Sequence, residues 1–321
     1  MASEFDLIDR YFKRPAPAGM LGVGDDCALF GVPPGMRVAT STDLLIEGRH
    51  FFPDVDPRAL GHKALAVNVS DLAAMGARPI GCLLGLALPT VEPAWLAAFS
   101  EGFHALAEAS ACPLIGGDTT GSTLGIAISV TVFGAVAPDQ ALRRDGARPG
   151  DQVWVSGALG AADIAYRLLS GQMPADAGLL AATRGALEWP QPRDALGQAL
   201  AGVANAAIDI SDGLLQDLGH VLKASGVGAE LRFADLPAAP ALRGVDPARL
   251  RHALLGGGDV YELCFTAAPE RADAVRAAAA RAGVAVTAIG RITAAAGLAV
   301  LGPDGRPETD LPRGFDHFST P

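Results

Sequence analysis

Aspartates recur where apolar segments of this chain end. They are Asp26 in GVGDDCALF, Asp43 in TSTDLLIEG, Asp71 in NVSDLAAMG, Asp118 in LIGGDTTGS, and Asp209 and Asp212 in IDISDGLLQ. Any one of them, taken singly, reads as a helix cap or a turn former. The set as a whole points elsewhere. STD, NVSD, GGDTT and DISDG put carboxylates beside hydroxyls, amides and glycines, the combination that hard divalent cations prefer. Carboxylates gathered without basic partners repel one another, and their pKa values rise. Magnesium removes that conflict, and it usually binds through a few carboxylates together with substrate phosphates. Such pairing serves phosphoryl transfer, where positioning and electrostatics carry most of the catalysis.

Glycines accompany the acids. GVGDD, LIGGDTTG and LLGGGD place backbone N–H groups where an anion can approach closely. No GxxxxGK[ST] loop is present, no GxGxxG follows a strand, and the HRD and DFG kinase signatures are missing. A P-loop kinase, a Rossmann dehydrogenase and a protein kinase are therefore unsupported.

The elements that must position these residues can be read from periodicity. A short amphipathic helix is predicted over 4–13, strands over 36–45 and 80–89, and helices over 57–79 and 92–111. PLIGGDTT reads as a strand ending in a glycine turn, and 124–136 as another strand. RRDGARPGDQ (143–152) is polar and turn-rich, which sets the expected domain boundary, with domains at 1–145 and 146–321. Beyond it, QVWVSG is a strand and ALGAADIAYRLLSG a helix, and 171–193 holds short helical pieces. NAAIDISDG is a strand entering a turn, and LLQDLGHVLKASG a helix that Gly226 closes. GAELRFADLP, YELCFTA and VAVTAIGRI are further strands, with a helix over 270–283. Strands and helices alternate in both halves, so the class is α/β or α+β.

The chain has 321 residues, half of them hydrophobic, so a sizeable core can form. Its net charge of -10 argues against nucleic acid as a partner but not against a phosphate ligand, since metal ions supply positive charge. Cys27, Cys82, Cys112 and Cys264 are widely spaced, which disfavours a zinc site or a disulfide framework and implies packed, reduced thiols. The start MASEFDLIDRYF lacks the features of a signal peptide, and no apolar run is long enough to span a membrane. A cytoplasmic protein is expected.

GVGDDCALF, STDLLIEGRHF, HKALAVNVSDLAAMGARP, LIGGDTTGS, RPGDQVWVSG, AAIDISDGLLQDLGH and GFDHF, in this order over nearly the whole chain, resemble the thiamine-monophosphate kinase family. That family belongs to the ATP-binding superfamily of aminoimidazole ribonucleotide synthetase and selenophosphate synthetase. The resemblance implies an N-terminal domain that pairs with its twin in a homodimer, a second α+β domain that completes the ATP and substrate site, and ATP bound without a P-loop. The implied reaction moves the γ-phosphoryl of ATP onto thiamine monophosphate, giving thiamine diphosphate and ADP.

Carried over position by position, the resemblance makes Asp26, Asp43, Asp71, Asp118, Asp209 and Asp212 ligands of several magnesium ions. Ser41 and Thr42 add hydroxyl or backbone oxygens. Gly117 and Asp118 lie at the ATP phosphates, with Arg144 and Ser211 also on ATP. His50 and Asp259 face the thiamine phosphate, and Phe315 of GFDHF lies against its rings. No general base is assigned, because the acceptor phosphate is itself a nucleophile at neutral pH. The chain departs from the family's GGEDYEL. It reads GGGDVYEL, so Asp259 replaces a glutamate and Val260 an aspartate, with Glu262 as the alternative acid.

Other residues carry plainer expectations. His62, His104, His220, His252 and His317 lack metal-ligand spacing and read as structural. Cys27 reads as a packed thiol. Lys63 reads as part of a solvated helix face, with a phosphate contact as the rival. Trp95 and Phe99, four apart, have core spacing. One competing function is another ATP-dependent synthetase of the same superfamily, activating an amide or selenide. Residues 1–20 contain no cysteine for selenide chemistry, and the chain ends HFSTP rather than in the cysteine of carbamoyl-handling members. A non-catalytic nucleotide-binding dimer is the other, and it has no need of so many uncompensated acids.

Overall fold

The structure, a computed structural model, describes residues 4–315. They group into two compact units: residues up to 72 with 77–139, and 73–76 with 140 onward.

The first unit opens with the short helix α1 (Glu4–Leu7), which runs into a π-helical turn at Ile8–Phe12. There follow β1 (Arg37–Ile46), α2 (Pro57–Ala74), β2 (Arg78–Leu88), α3 (Pro93–Ala109), β3 (Leu114–Gly121) and β4 (Ala127–Val136). The strands form one sheet in the order β1-β4-β2-β3, antiparallel except where β2 meets β3. Ile128, Val130 and Val132 of β4 are buried, while the intervening Ser129, Thr131 and Phe133 are only partly covered. One sheet face therefore packs inward and the other does not. Leu72 of α2 lies against the inward face at Gly134. The outward face carries Val38, Leu44 and Ile46, which are 51%, 53% and 40% exposed.

Helix α2 ends earlier than the sequence suggests. Gly76 takes a left-handed conformation (φ 65), and Arg78 already pairs with β4. It is also buried along most of its length, His62, Lys63, Asn68 and Ser70 included. The expectation of a solvated Lys63 is corrected, since only 2% of the residue is exposed. In α3, Leu96, Phe99 and Phe103 are fully buried, and the rings of Trp95 and Phe99 stack at 5.0 Å.

The second unit contains β5 (Gln152–Ser156), α4 (Ala161–Leu169), α5 (Ala177–Glu188), α6 (Asp194–Leu200), β6 (Ala206–Asp209), α7 (Leu214–Ser225), β7 (Gly228–Arg232), α8 (Pro247–Leu255), β8 (Leu263–Ala267), α9 (Ala272–Ala282), β9 (Val286–Thr293) and β10 (Gly297–Leu301). Its sheet runs β10-β7-β9-β5-β8-β6, with β10 and β7 parallel and the other pairs antiparallel. Both faces are covered. Val153 and Val155 join Ile208, Leu214, Leu218 and Val221 in one core, which puts α7 on that side. Trp154 joins Leu196, Phe265, Val275 and Ala279 in the other, with α6 and α9. That double cover explains why successive residues of β5, Val153, Trp154 and Val155, are all apolar. Gly226 closes α7 in the left-handed conformation (φ 67), as predicted. Alternating strands and helices give the expected mixed α/β class. Among the described residues no helix is long and apolar enough to cross a membrane.

Candidate active site

In the first unit the candidate side chains lie on β1, α2 and β3 and on the loops that hold Asp26 and His50. Alternation along β1 points Ser41 and Asp43 to the face that α2 covers, and Thr42 to the opposite face. Ser41 Oγ donates to Asp71 Oδ2 at 2.5 Å. The Asp43 N–H donates to Asn68 Oδ1 at 2.9 Å, and the Asn68 amide is itself steadied by donating to the Ala64 carbonyl. Thr42 Oγ1 donates to the Val130 carbonyl and accepts from Thr131 Oγ1, so its hydroxyl lies away from Asp71. Asn68, fully buried in α2, holds the Asp43 backbone, a support that sequence reasoning missed. Its signal was NVSD, where it stands three residues before Asp71.

Asp118 is exposed within β3, not in a turn after it as predicted. The strand passes through both glycines because a Cβ at Gly117 would stand 2.0 Å from the Leu84 carbonyl oxygen. The missing side chain lets β2 and β3 pair closely. Gly116, Gly117, Asp118 and Thr119 rim a pocket whose apolar wall is Ile8, Phe12, Val23, Leu84 and Leu114. Asp26 lies on an exposed loop pinched shut where Leu21 and Leu29 exchange backbone hydrogen bonds. Its N–H donates to Asp25 Oδ1 at 2.9 Å. Cys27 shares that loop and is exposed, so the packed thiol expected there is corrected; Cys82, Cys112 and Cys264 are buried as expected. His50 sits in the turn after β1 and accepts the Ile46 N–H on Nδ1 at 3.0 Å. A neutral ring then carries its proton on Nε2. Lys63 donates to the His50 carbonyl at 3.4 Å.

In the second unit three segments meet backbone to backbone. The 209–213 segment leaves β6 carrying Asp209, which is 5% exposed. Asp217, near the start of α7, turns back on it. One oxygen, Oδ2, accepts the N–H groups of Ser211, Asp212 and Gly213 at 3.0, 3.0 and 3.1 Å. Burial pushes the Asp217 carboxyl up to about 7, with the Asp212 charge adding to the rise and the three N–H bonds opposing it. Asp217 too was missed, although DISDGLLQDL shows an acid in the first turn of a helix, where the helix dipole favours one.

The 256–262 segment zips onto the first. The Asp259 N–H donates to the Ser211 carbonyl, the Tyr261 N–H to the Ile210 carbonyl, and the Ile210 N–H to the Glu262 carbonyl, all at 2.8 Å. A Cβ at Gly258 would stand 2.5 Å from the Ser211 carbonyl oxygen. Asp259 and Tyr261 both adopt positive φ, 57 and 53, and Tyr261 Oη donates to Asp259 Oδ1 at 3.1 Å. Glu262 is committed elsewhere. It pairs with Arg193 through both carboxylate oxygens and accepts from Ser156 Oγ at 2.5 Å. The alternative of Glu262 as the substrate-facing acid therefore loses its footing. The third segment ends at Phe315, whose N–H donates to the Asp212 carbonyl at 2.9 Å. Asp316, His317 and Phe318 of GFDHF lie outside the described residues. Arg144 is exposed in a short turn held by Ser225, while the neighbouring Arg143 forks Asp145.

Among the described residues no three His, Cys, Asp or Glu side chains gather as a metal-binding group. The donor set still fits a hard divalent ion. It is all oxygen, carboxylates with the hydroxyls of Ser41 and Thr42 beside them in sequence, which is the chemistry such ions prefer.

The chain matches the family models of the AIR synthase related protein, N-terminal domain over residues 24–136 and C-terminal domain over 148–302. It is 44% identical to a thiamine-monophosphate kinase of Escherichia coli K12, with 99% of each chain covered. A relative of the same description from Haemophilus influenzae is 40% identical, with 98% of each covered. The chain belongs to the thiamine-monophosphate kinase family. Solved structures of that family share its fold. The thiamine-monophosphate kinase from Stenotrophomonas maltophilia K279a superposes with a TM-score of 0.83 at 42% identity, covering 91% of this chain and 93% of that one. A structure described as AaThiL complexed with AMPPCP and TMP gives 0.77 at 33% identity, covering 90% and 89%.

Proposed function

We propose that this chain transfers the γ-phosphoryl group of ATP to thiamine monophosphate, releasing thiamine diphosphate and ADP. The observation that carries the reading is full-length identity of 44% to a kinase of that name. The chemistry of the acids agrees with it. In the first unit Asp26, Ser41, Thr42, Asp43, Asp71 and Asp118 would hold magnesium, and in the second Asp209 and Asp212. Magnesium, when bound, neutralises phosphate charge and so permits two anionic groups to approach.

The chain's own residues bind and orient. Gly117 and Asp118 would border the ATP phosphates, Gly117 offering a backbone with no side chain in the way. Arg144 and Ser211 would contact ATP as well. The Ser211 N–H is already spent on Asp217, so its contact would run through Oγ. Thr42, with its hydroxyl turned from Asp71, would contribute backbone oxygen. His50 would offer Nε2–H to the thiamine phosphate, Asp259 would meet the substrate with a carboxylate fixed by Tyr261, and Phe315 would lie against its rings.

The exposed apolar face of the first unit's sheet, Val38, Leu44 and Ile46, supports a homodimer. As an ATP-using enzyme of coenzyme synthesis the protein would work in the cytoplasm. The test is chromatography of the purified protein incubated with ATP, magnesium and thiamine monophosphate. Thiamine diphosphate should form, vanish with EDTA, and fail to form from free thiamine. ATP binding without product would refute the reading and point to a sister synthetase.

A further inference from the structure

The last described stretch of the chain is fastened to the second unit at two points. The Arg251 guanidinium on α8 donates to the carbonyls of Thr309 and Asp310 at 2.8 and 3.0 Å. Six residues on, Gln216 of α7 makes the second fastening. Its Nε2 donates to the Phe315 carbonyl at 2.8 Å and to Asp212 Oδ2 at 3.2 Å. Both partners are pure acceptors, so only the NH₂ end of the amide can face them, and its two hydrogens match the two acceptors. The backbones are too close for side chains. A Cβ at Gly314 would lie 2.6 Å from Gln216 Oε1 and 2.7 Å from the Asp212 carbonyl oxygen, and one at Gly256 would lie 2.8 Å from the Arg313 carbonyl oxygen. The Phe315 N–H closes the ring of contacts on the Asp212 carbonyl.

We infer that Gln216 is a positioning residue that clamps the C-terminal segment onto the Asp212 loop and so sets Phe315 at the thiamine phosphate. The inference rests on the functional reading above, which puts Asp212 at magnesium and Phe315 at the substrate. Gln216 touches neither substrate nor phosphate. It acts by making one amide serve a carboxylate and a carbonyl from two segments far apart in sequence, so that the metal-side acid and the substrate-side aromatic hold a common register.

The experiment uses the full-length chain with Gln216→Ala, Phe315→Ala and the double variant. Gln216 is half-buried and Phe315 is 37% exposed, so all three should fold, as circular dichroism will report. Loss of the tie should speed hydrogen exchange at the Phe315 amide about tenfold or more. KM for thiamine monophosphate should rise ~10-fold while kcat stays within about threefold. If Gln216 acts through Phe315, the double variant should be no worse in KM than Phe315→Ala alone. Gln216→Glu, which sets a carboxylate against two acceptors, should behave like the alanine variant. Unchanged exchange at Phe315 overturns the tie, and fast exchange with an unchanged KM overturns its positioning role. Additive KM effects overturn the route through Phe315. A wild-type KM in Phe315→Ala sinks the substrate assignment of Phe315 and the positioning role with it, while the exchange measurement still judges the tie by itself.

Discussion

Asp217→Asn tests how the DISDG loop is held. In the folded protein, burial wins over three backbone N–H groups and places the Asp217 carboxyl at about 7, against an ordinary 3.8. The folded state thus keeps a proton that the unfolded chain releases, so this group's contribution to stability falls as pH rises from 3.8 towards 7 and is level above that. The whole fall amounts to about 4 kcal/mol at ~1.36 kcal/mol per pH unit, of which roughly 3 kcal/mol lies between pH 5 and 8. Asparagine keeps an oxygen for the N–H groups of 211–213 and removes the titration. Urea unfolding of both proteins from pH 5 to 8, followed by fluorescence, should then show the variant gaining on the wild type by roughly 3 kcal/mol across that range. Carbon NMR of the Asp217 carboxyl should titrate near 7. A stability difference that does not change with pH, or a wild type that gains on the variant as pH rises, would refute the reasoning. Either would mean that the three donated hydrogen bonds at least balance desolvation.

Arg193→Ala leaves Glu262 nearly buried with only the Ser156 hydroxyl and should cost about 3–5 kcal/mol in urea unfolding; Glu262→Gln added to it should recover part of that loss. Asp71→Asn should lower kcat by roughly 100-fold or more while circular dichroism stays unchanged, and a fully active variant at limiting magnesium would remove Asp71 from the metal site. Leu44→Lys, in the middle of the exposed apolar sheet face, should convert a dimer to a monomer by light scattering; an unchanged mass would place the dimer contact elsewhere.

Elements with strong periodicity were legible in the sequence. The strands at 36–45 and 80–89 and the helices at 92–111 and 214–225 lie within a few residues of their predicted ends, because alternation and caps are local signals. Elements lacking such a signal went unnoticed. Helix α6 is only seven residues long, and β10 is an edge strand of five. Asp118 was misplaced for a physical reason. Two glycines read as a turn, yet Gly117 is needed for close strand pairing against Leu84. The acids of the candidate site were found because each stands out from an apolar neighbourhood. Their supports were not. Asn68, Asp217 and Gln216 look like ordinary helix residues and Arg193 like a loop residue ahead of α6, and only the fold brings them to a carboxylate or a backbone amide.

The departure GGGDVYEL can be judged on the same grounds. A positive φ at a non-glycine residue costs about 1–3 kcal/mol, and the segment holds two, at Asp259 and Tyr261. That strain persists because neighbours fix the backbone from both sides: the Ser211 and Ile210 carbonyls from one, and Glu262, locked by Arg193 and Ser156, from the other. A backbone held so firmly cannot slide to make up for a carboxylate one methylene shorter. Tyr261 restores definition in another way, by donating its hydroxyl to Asp259 and fixing the direction of the short side chain. Removing that hydroxyl in Tyr261→Phe should therefore raise KM for thiamine monophosphate by ~5–10-fold and leave KM for ATP unchanged. An equal rise in both would mean that the loop serves the whole fold rather than the substrate, and the shorter carboxylate would then have no assigned partner in the reaction.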